Sequence, residues 1–222
     1  SPIAFDDIPK NFIHALLAAE DDNFANHHGV DPGSLLRAAA QILKTGRIQT
    51  GGSTITMQVA KNYFLSSERS FSRKANEILL ALQIERELTK NEILELYINK
   101  IYLGNRAYGI EAASQVYYGK SINEISLAEM AMIAGLPKAP SRFNPIANPT
   151  RSMERRNWIL GRMLKLGRIS EQAYQDAVAE PLTARLHISA PDIYAPYVAE
   201  MARAEMVGKF GGQAYTDGYS VT

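Results

Sequence analysis

The sequence predicts a mainly α-helical fold for this chain of 222 residues. Apolar residues recur at helical spacing along most of the chain, several of these runs follow a capping residue, and the alternation typical of strands is nearly absent. With 46% hydrophobic and 21% charged residues, the composition is that of a globular protein and not of a disordered one. A chain of this length buries a sizeable core without disulfides.

The individual helices are predicted from their start and stop signals. Asp7 precedes an apolar run from Phe12 to Glu20, and Asp31 precedes a second run that stops at Gly46. The other predicted helices begin at the capping boxes Thr89–Glu92 and Ser126–Glu129 or cover the ranges Phe71–Leu88, Thr150–Leu166, Ser170–Glu180 and Tyr197–Phe210.

Two segments differ from this helical pattern. Closely spaced prolines between Pro137 and Pro149 predict an extended connection or a wall that lines a site. The stretch from Lys44 to Tyr63 has adjacent glycines and a polar Ser-Thr-Ile-Thr run, so we interpret it as a flap or a lipid-facing surface. Its apolar residues are expected to be exposed: Ile48, Ile55, Met57 and Val59.

Composition excludes several classes of function. The chain has no cysteine, which excludes disulfides, thiolate metal sites and cysteine nucleophiles. Its net charge of +1 is not typical of a nucleic-acid-binding protein. No stretch approaches the roughly 20 apolar residues of a membrane-spanning helix. Because the sequence begins at Ser1 and ends in a strand-like Tyr-Ser-Val-Thr run, we expect it to be a piece of a longer protein.

Glu20 is the first candidate for chemistry. It stands at the end of an apolar helix, where partial desolvation raises the pKa of a carboxylate toward the range that suits a general base. Asp21, Phe24 and His27 follow it closely. The alternative interpretation is an ordinary polar helix end with a structural histidine.

A glycine-rich stretch and a cation cluster form the second candidate. Gly51 and Gly52, followed by hydroxyl side chains, suit an anion or a sugar, although the pattern is not a nucleotide-binding phosphate loop. The cations that follow are more numerous than an ordinary solvated helix face requires, which indicates a polyanion such as a pyrophosphate. They are Lys61, Arg69, Arg73 and Lys74, with Glu77 as the one acid among them.

The stretch from Glu95 to Asn105 is interpreted as structural. Leu96, Tyr97, Ile101 and Tyr102 are expected to pack, and Asn99 alone is flagged for function.

Together these stretches resemble the family 51 glycosyltransferases, the peptidoglycan polymerases, and within them the glycosyltransferase domain of class A penicillin-binding proteins of the 1A type. The similar motifs are Glu20-Asp21-x-x-Phe24-x-x-His27-x-Gly29, Gly51-Gly52-Ser53-Thr54-Ile55-Thr56-x-Gln58, Arg73-Lys74-x-x-Glu77, Glu92-Ile93-Leu94-Glu95-Leu96-Tyr97-x-Asn99 and Ala134-Gly135-Leu136-Pro137-Lys138-Ala139-Pro140. Their shared order makes a chance match negligible.

The resemblance implies a lysozyme-like large lobe with a smaller, membrane-facing jaw lobe at about residues 44–70. It implies a glycosyltransferase domain over residues 1–210 and, at 211–222, the start of a linker toward a transpeptidase domain outside this chain. An N-terminal anchor outside the chain would hold the domain on the periplasmic face of the bacterial inner membrane. The implied partners are lipid II, the growing lipid-linked strand and the membrane, and no nucleic acid.

The resemblance also assigns roles. Lipid II would be polymerised into β-1,4-linked strands with inversion, with Glu20 as general base and undecaprenyl pyrophosphate as leaving group. Glu77 matches a second catalytic carboxylate, which either positions cations or binds a divalent metal; no cofactor is implied with certainty, and Mg²⁺ and Mn²⁺ are the metals considered. The implied substrate-binding residues are Asp21, Phe24, His27, Gly52, Ser53, Thr54, Gln58, Lys61, Asn62, Arg69, Arg73, Lys74, Asn99 and Lys138.

Two other functions compete with this one. A lysozyme-like hydrolase or lytic transglycosylase could share the fold and a single catalytic glutamate, but its neutral substrate needs no cation cluster. A helical scaffold of the cell envelope would need neither the glutamates nor the cations.

Overall fold

The structure is a computed structural model that describes residues 2–34, 36, 40, 44, 52–65, 71–187, 196–211 and 213. The fold is mainly α-helical, as predicted, and the described residues contain no β-strand. After a short 3-10 helix at Phe5–Asp7 come α1 (Lys10–Glu20), α2 (Ile55–Phe64), α3 (Phe71–Glu87), α4 (Lys90–Lys100), α5 (Ile110–Tyr118), α6 (Leu127–Ala134), α7 (Pro149–Lys165), α8 (Glu171–Ala179) and α9 (Pro196–Phe210).

Side-chain capping is present at some of the predicted helix starts, but α1 follows Pro9 and α7 follows Asn148 without a side-chain cap, so Asp7 does not cap α1. Both capping boxes are present: Thr89 and Ser126 each accept a hydrogen bond from the backbone of the third helical residue, and the glutamate there bonds back. Helix α5 was not predicted. It begins after Gly109, whose φ of 84° suits glycine, and no side chain caps it, so the usual start signal is absent.

The core is built around the short helix α6. All of its residues except Leu127 are buried, and it packs against α1 and α7. Helix α2 packs in the same way against α3 and α4.

The prediction that Ile55, Met57 and Val59 are exposed is wrong. Their side chains are 0%, 0% and 1% exposed, because α2 begins at this point and turns them into the core. Ile48 lies outside the described residues. The exposed apolar side chains of this region lie further along the chain, at Phe64, Leu79 and Leu82.

The chain forms two compact units, Ser1–His187 and Ile188–Thr222. The first contains α1 to α8, and the described part of the second is essentially α9. The predicted domain boundary near residue 210 and the linker beyond it stay predictions, since most of 211–222 lies outside the described residues. The jaw lobe at 44–70 also stays a prediction, with residues 45–51 and 66–70 outside the described residues, and so does the helix that ends at Gly46.

Candidate active site

An open cavity of about 480 Å³ lies where α1, α2 and α7 approach one another. Glu20 contributes its carboxylate from the last position of α1. The rest of the lining comes from α1, α2 and the segment before it, the loop after α6, and α7: Ala19, Ser53, Gln58, Lys61, Pro137, Lys138, Arg155 and Trp158. The predicted wall formed by the proline-rich connection is therefore confirmed at Pro137.

The Glu20 carboxylate is enclosed by the protein. Its side chain is 10% exposed, Gln58 Nε2 donates to Oε2 at 3.2 Å, and Arg155 Nη2 lies 3.6 Å from Oε1. Burial raises the pKa of Glu20 above its ordinary value, while the Gln58 hydrogen bond and the charges of Arg155 and Lys138 oppose the shift. Glu20 is therefore a carboxylate with raised basicity at the wall of a cleft, which is the arrangement of a general base.

A hydrogen-bond relay fixes the amide that faces Glu20. The Tyr97 hydroxyl donates to Gln58 Oε1 at 3.3 Å, which leaves the amide NH₂ of Gln58 to donate to Glu20. Tyr97 is fully buried, and burial raises its pKa well above the ordinary value, so the hydroxyl keeps its proton. The sequence interpretation of Tyr97 as a packing residue missed this positioning role.

Arg155 and Trp158 were missing from the sequence-based site. Arg155 is 8% exposed, its guanidinium lies 4.4 Å from the centroid of the Trp158 ring, and Nη2 donates to the Ala19 carbonyl at 3.3 Å. Stacking and a backbone acceptor hold this cation beside Glu20. In the sequence both residues look like ordinary members of an amphipathic helix, so no local signal identified them.

Glu77 holds Lys74 and Ser53 together. Its side chain is 3% exposed, Lys74 Nζ lies 2.7 Å from Glu77 Oε1, and the same ammonium donates to Ser53 Oγ at 2.6 Å. The described residues contain no group of three or more acidic or histidine side chains that could hold a metal ion. Because an ammonium already contacts the Glu77 carboxylate, these residues do not fit a divalent cation at this position.

Several residues expected to bind substrate are buried behind the cavity. Asp21 accepts from the Ile55 backbone N–H at 3.0 Å and pairs with His27 Nε2 at 2.9 Å. Phe24 is 2% exposed, and the Lys90 ammonium lies 4.3 Å from its ring centroid. Thr54 caps α2 and donates to the Gly29 carbonyl. These side chains hold α2 against the end of α1 and do not line the cavity.

Comparison with known proteins identifies the family. The model of the family described as "Transglycosylase" matches residues 1–164 of this chain. The chain belongs to the transglycosylase family. The resemblance to the family 51 glycosyltransferases is thereby confirmed, and the helical fold described above is that of a transglycosylase domain.

The relatives are penicillin-binding proteins 1A. That of Pseudomonas aeruginosa is 76% identical over 221 residues, which cover 100% of this chain and 27% of the relative. That of Escherichia coli is 50% identical over 220 residues, covering 99% of this chain and 26% of the relative. The crystal structure of the Haemophilus influenzae protein matches with a TM-score of 0.56 and 35% identity over 96% of this chain and 22% of that one. The chain thus spans about a quarter of the length of these relatives.

Two lysines bring positive charge to the cavity, Lys61 from α2 and Lys138 from the loop after α6. Neither lysine forms an ion pair with any described residue, so their charge is available to an anionic ligand. Asn62 lies beside Lys61 and lines a neighbouring cavity, described below.

The remaining predicted residues lie elsewhere. Arg73 is on α3 next to Lys74 and is not among the described residues that line the cavity, and the same holds for Gly52, which precedes Ser53. Arg69 and Gly51 lie outside the described residues. Asn99 bonds the Ile3 backbone through both ends of its amide, at 2.9 Å each, so its geometry is that of a structural residue.

Within the part of the chain that the structure describes, no helix is both long enough and apolar enough to cross a bilayer.

Proposed function

We propose that this transglycosylase domain polymerises lipid II into β-1,4-linked glycan strands, with inversion and with release of undecaprenyl pyrophosphate. The observation that carries the proposal is the buried Glu20 carboxylate in a cavity lined by Lys61 and Lys138, two cations with no ion-pair partner among the described residues. The reaction requires a general base for the acceptor hydroxyl and cations for the leaving pyrophosphate.

The chemistry follows from the stereochemical change. An α-linked pyrophosphate donor that gives a β linkage undergoes one in-line displacement. The acceptor 4-hydroxyl attacks the anomeric carbon while Glu20 takes its proton, and the bond to the pyrophosphate oxygen breaks with its electron pair. Negative charge grows on the leaving group, so nearby cations stabilise the transition state more than the ground state.

The hydrolase alternative explains less of this site. Hydrolysis by the usual retaining or inverting route needs a second carboxyl group to protonate the leaving oxygen or to activate water, whereas a lytic transglycosylase needs only one glutamate and is opposed here by the cations alone. Glu20 is the sole carboxylate among the described residues that line the cavity. A neutral glycan also gives no reason for Lys61, Lys138 and Arg155 to converge there.

We further propose that Glu77 is a positioning residue. Its contact with Lys74 and the bond from Lys74 to Ser53 support this role, because Ser53 lines the cavity. Glu77 would then hold a cation and a hydroxyl toward the substrate, and no reaction step is assigned to a metal.

The same proposal extends to the location of the domain at the membrane and to domains outside this chain. A periplasmic location at the inner membrane, an N-terminal anchor and a C-terminal transpeptidase domain are supported by the 1A-type relatives. Phe64, inside the proposed jaw at 44–70, and Leu79 and Leu82, on α3 outside it, are exposed and suit a lipid-facing surface better than the buried residues first assigned to the jaw.

The direct experiment incubates the domain with lipid II in detergent and sizes the products. We expect glycan strands that a muramidase digests to disaccharide units. Absence of polymer, together with release of fragments from lipid-free peptidoglycan, would contradict the proposal in favour of the hydrolase.

The Arg155 charge predicts a pH effect. A general base works only when deprotonated, and Arg155 lowers the pKa of Glu20 against the effect of burial. Arg155→Gln should therefore raise this pKa further and move the acidic limb of the kcat/KM profile to higher pH, so that activity falls most under acidic conditions. A uniform loss at all pH values would contradict this positioning role.

A further inference from the structure

A second cavity adjoins the active-site cavity. It has a volume of about 290 Å³, and Lys61 and Pro137 line both cavities. The two spaces therefore share a wall, and a ligand longer than one sugar unit can extend from the first into the second. Tyr102 and Tyr108 form the aromatic part of the second cavity, with Asn62 and Lys100 at its polar part.

The two tyrosines are exposed in a way that packing does not explain. Tyr102 is 42% exposed and Tyr108 is 63% exposed, and their ring centroids are 5.0 Å apart. The prediction that Tyr102 is a packing residue is therefore wrong. Adjacent aromatic rings that remain open in a concave surface are typical of a ligand-binding groove.

A rigid hairpin presents these rings. Tyr102 and Tyr108 form an isolated antiparallel bridge, and Leu103 N donates to the Ala107 carbonyl at 2.9 Å. At the tip of the hairpin, Asn105 and Arg106 have φ values of 46° and 60°, a left-handed conformation that asparagine tolerates but that is unfavourable for arginine. Backbone strain of this kind persists only where the surrounding structure enforces it.

Contacts with the surrounding structure hold the backbone of the hairpin in this conformation. The buried Tyr117 hydroxyl donates to the Leu103 carbonyl at 2.9 Å, and Asn144 Nδ2 donates to Asn105 Oδ1 at 3.3 Å. The hairpin is thus fixed before any ligand arrives, and binding does not have to order the rings.

We propose that Tyr102 and Tyr108 form a stacking subsite for sugar rings of the growing glycan strand. The negative face of a tyrosine ring attracts the slightly positive C–H bonds of a pyranose face. Asn62 offers an amide to the hydroxyl and acetamido groups at the edge of the sugar. This inference rests on the proposed function, because the sugar chain is the polymerisation product.

The subsite has a definite use in polymerisation. Each displacement releases the donor pyrophosphate and joins the strand to the acceptor lipid II, so the strand remains lipid-linked and has to shift along the site between additions. Sugar rings far from the pyrophosphate are not retained by the cations during that shift. Stacking on a preorganised aromatic pair retains them without opposing the next displacement.

The test measures sugar binding separately from catalysis. The probe is a lipid-free tetrasaccharide of alternating N-acetylglucosamine and N-acetylmuramic acid, titrated into the domain by calorimetry. Tyr102→Ala and Tyr108→Ala should each weaken binding by about 3- to 10-fold, the range for loss of one aromatic stacking contact. Tyr102→Phe and Tyr108→Phe keep the rings and should bind like the parent. Phe210→Ala, which removes an exposed aromatic side chain of α9, is the matched control.

Product length provides the second readout. With lipid II as substrate, both alanine variants should make shorter strands than the parent. Unchanged tetrasaccharide affinity and strand length in the alanine variants would overturn the subsite. A parent that binds the tetrasaccharide through these tyrosines but does not polymerise lipid II would overturn the proposed function instead.

Discussion

Glu20→Gln is expected to reduce the polymerisation of lipid II by at least about 10²-fold, the lower end of what a positioned general base contributes. The amide has nearly the same size as the carboxylate and can still contact Gln58, but it cannot take a proton from the acceptor hydroxyl. The measurement is the initial rate of polymer formation at saturating lipid II, with parent and variant at equal concentration.

Two controls separate loss of the base from loss of the fold. Glu154→Gln changes an exposed glutamate of α7 in the same chemical way and should keep the parent rate. The thermal unfolding midpoint of Glu20→Gln should remain near that of the parent, because the substitution leaves no cavity and removes a charge whose burial is unfavourable. A variant that retains most of its activity would refute the assignment of Glu20 as the base.

Lys61→Ala should lower the turnover of lipid II by about 10- to 10³-fold, since one lost transition-state donor has effects of up to this size. Lys61 lines the cavity beside Glu20 and has no ion-pair partner among the described residues, so its charge is free to meet the leaving pyrophosphate. Most of the loss should be in kcat, because the charge on the leaving oxygen grows only as the glycosidic bond breaks.

A control substitution of another lysine and a second substrate make this test more specific. Lys165→Ala removes an exposed lysine at the end of α7 and should leave turnover unchanged. Parent and Lys61→Ala are also assayed on purified lipid-free peptidoglycan, whose glycosidic bonds carry no phosphate. Fragment release that is equal in both proteins, with no polymer from lipid II, would show that the site is that of a hydrolase.

Local signals in the sequence were sufficient for most of the fold. Capping at Thr89 and Ser126 is a contact between residues three positions apart, so it forms independently of how the helix packs in the tertiary structure. Helix α5 lacks such a signal and was missed. Ile55, Met57 and Val59 were assigned to a lipid-facing surface because the glycines and hydroxyls before them resemble a loop, yet packing of α2 on α3 and α4 buries them.

The residues of the candidate site were likewise only partly predictable from the sequence. The motifs identified Glu20, Lys61 and the family, because these follow from residue type and order along the chain. They could not separate residues that line the cavity from those that support it: Asp21 and Ser53 belong to equally good motifs, but Asp21 is bonded to α2 and His27 while Ser53 faces the cleft.

By itself, the sequence determined the helical class, most helix starts, the candidate glutamate and the family. The tertiary structure alone decided which cations surround that glutamate. Arg155 lies 136 residues from Ala19 in sequence and yet bonds to its carbonyl, because α1 and α7 both pack against the buried helix α6. Periodicity and capping depend on contacts within a few residues, whereas the electrostatics of Glu20 depend on helices that only the shared core brings together.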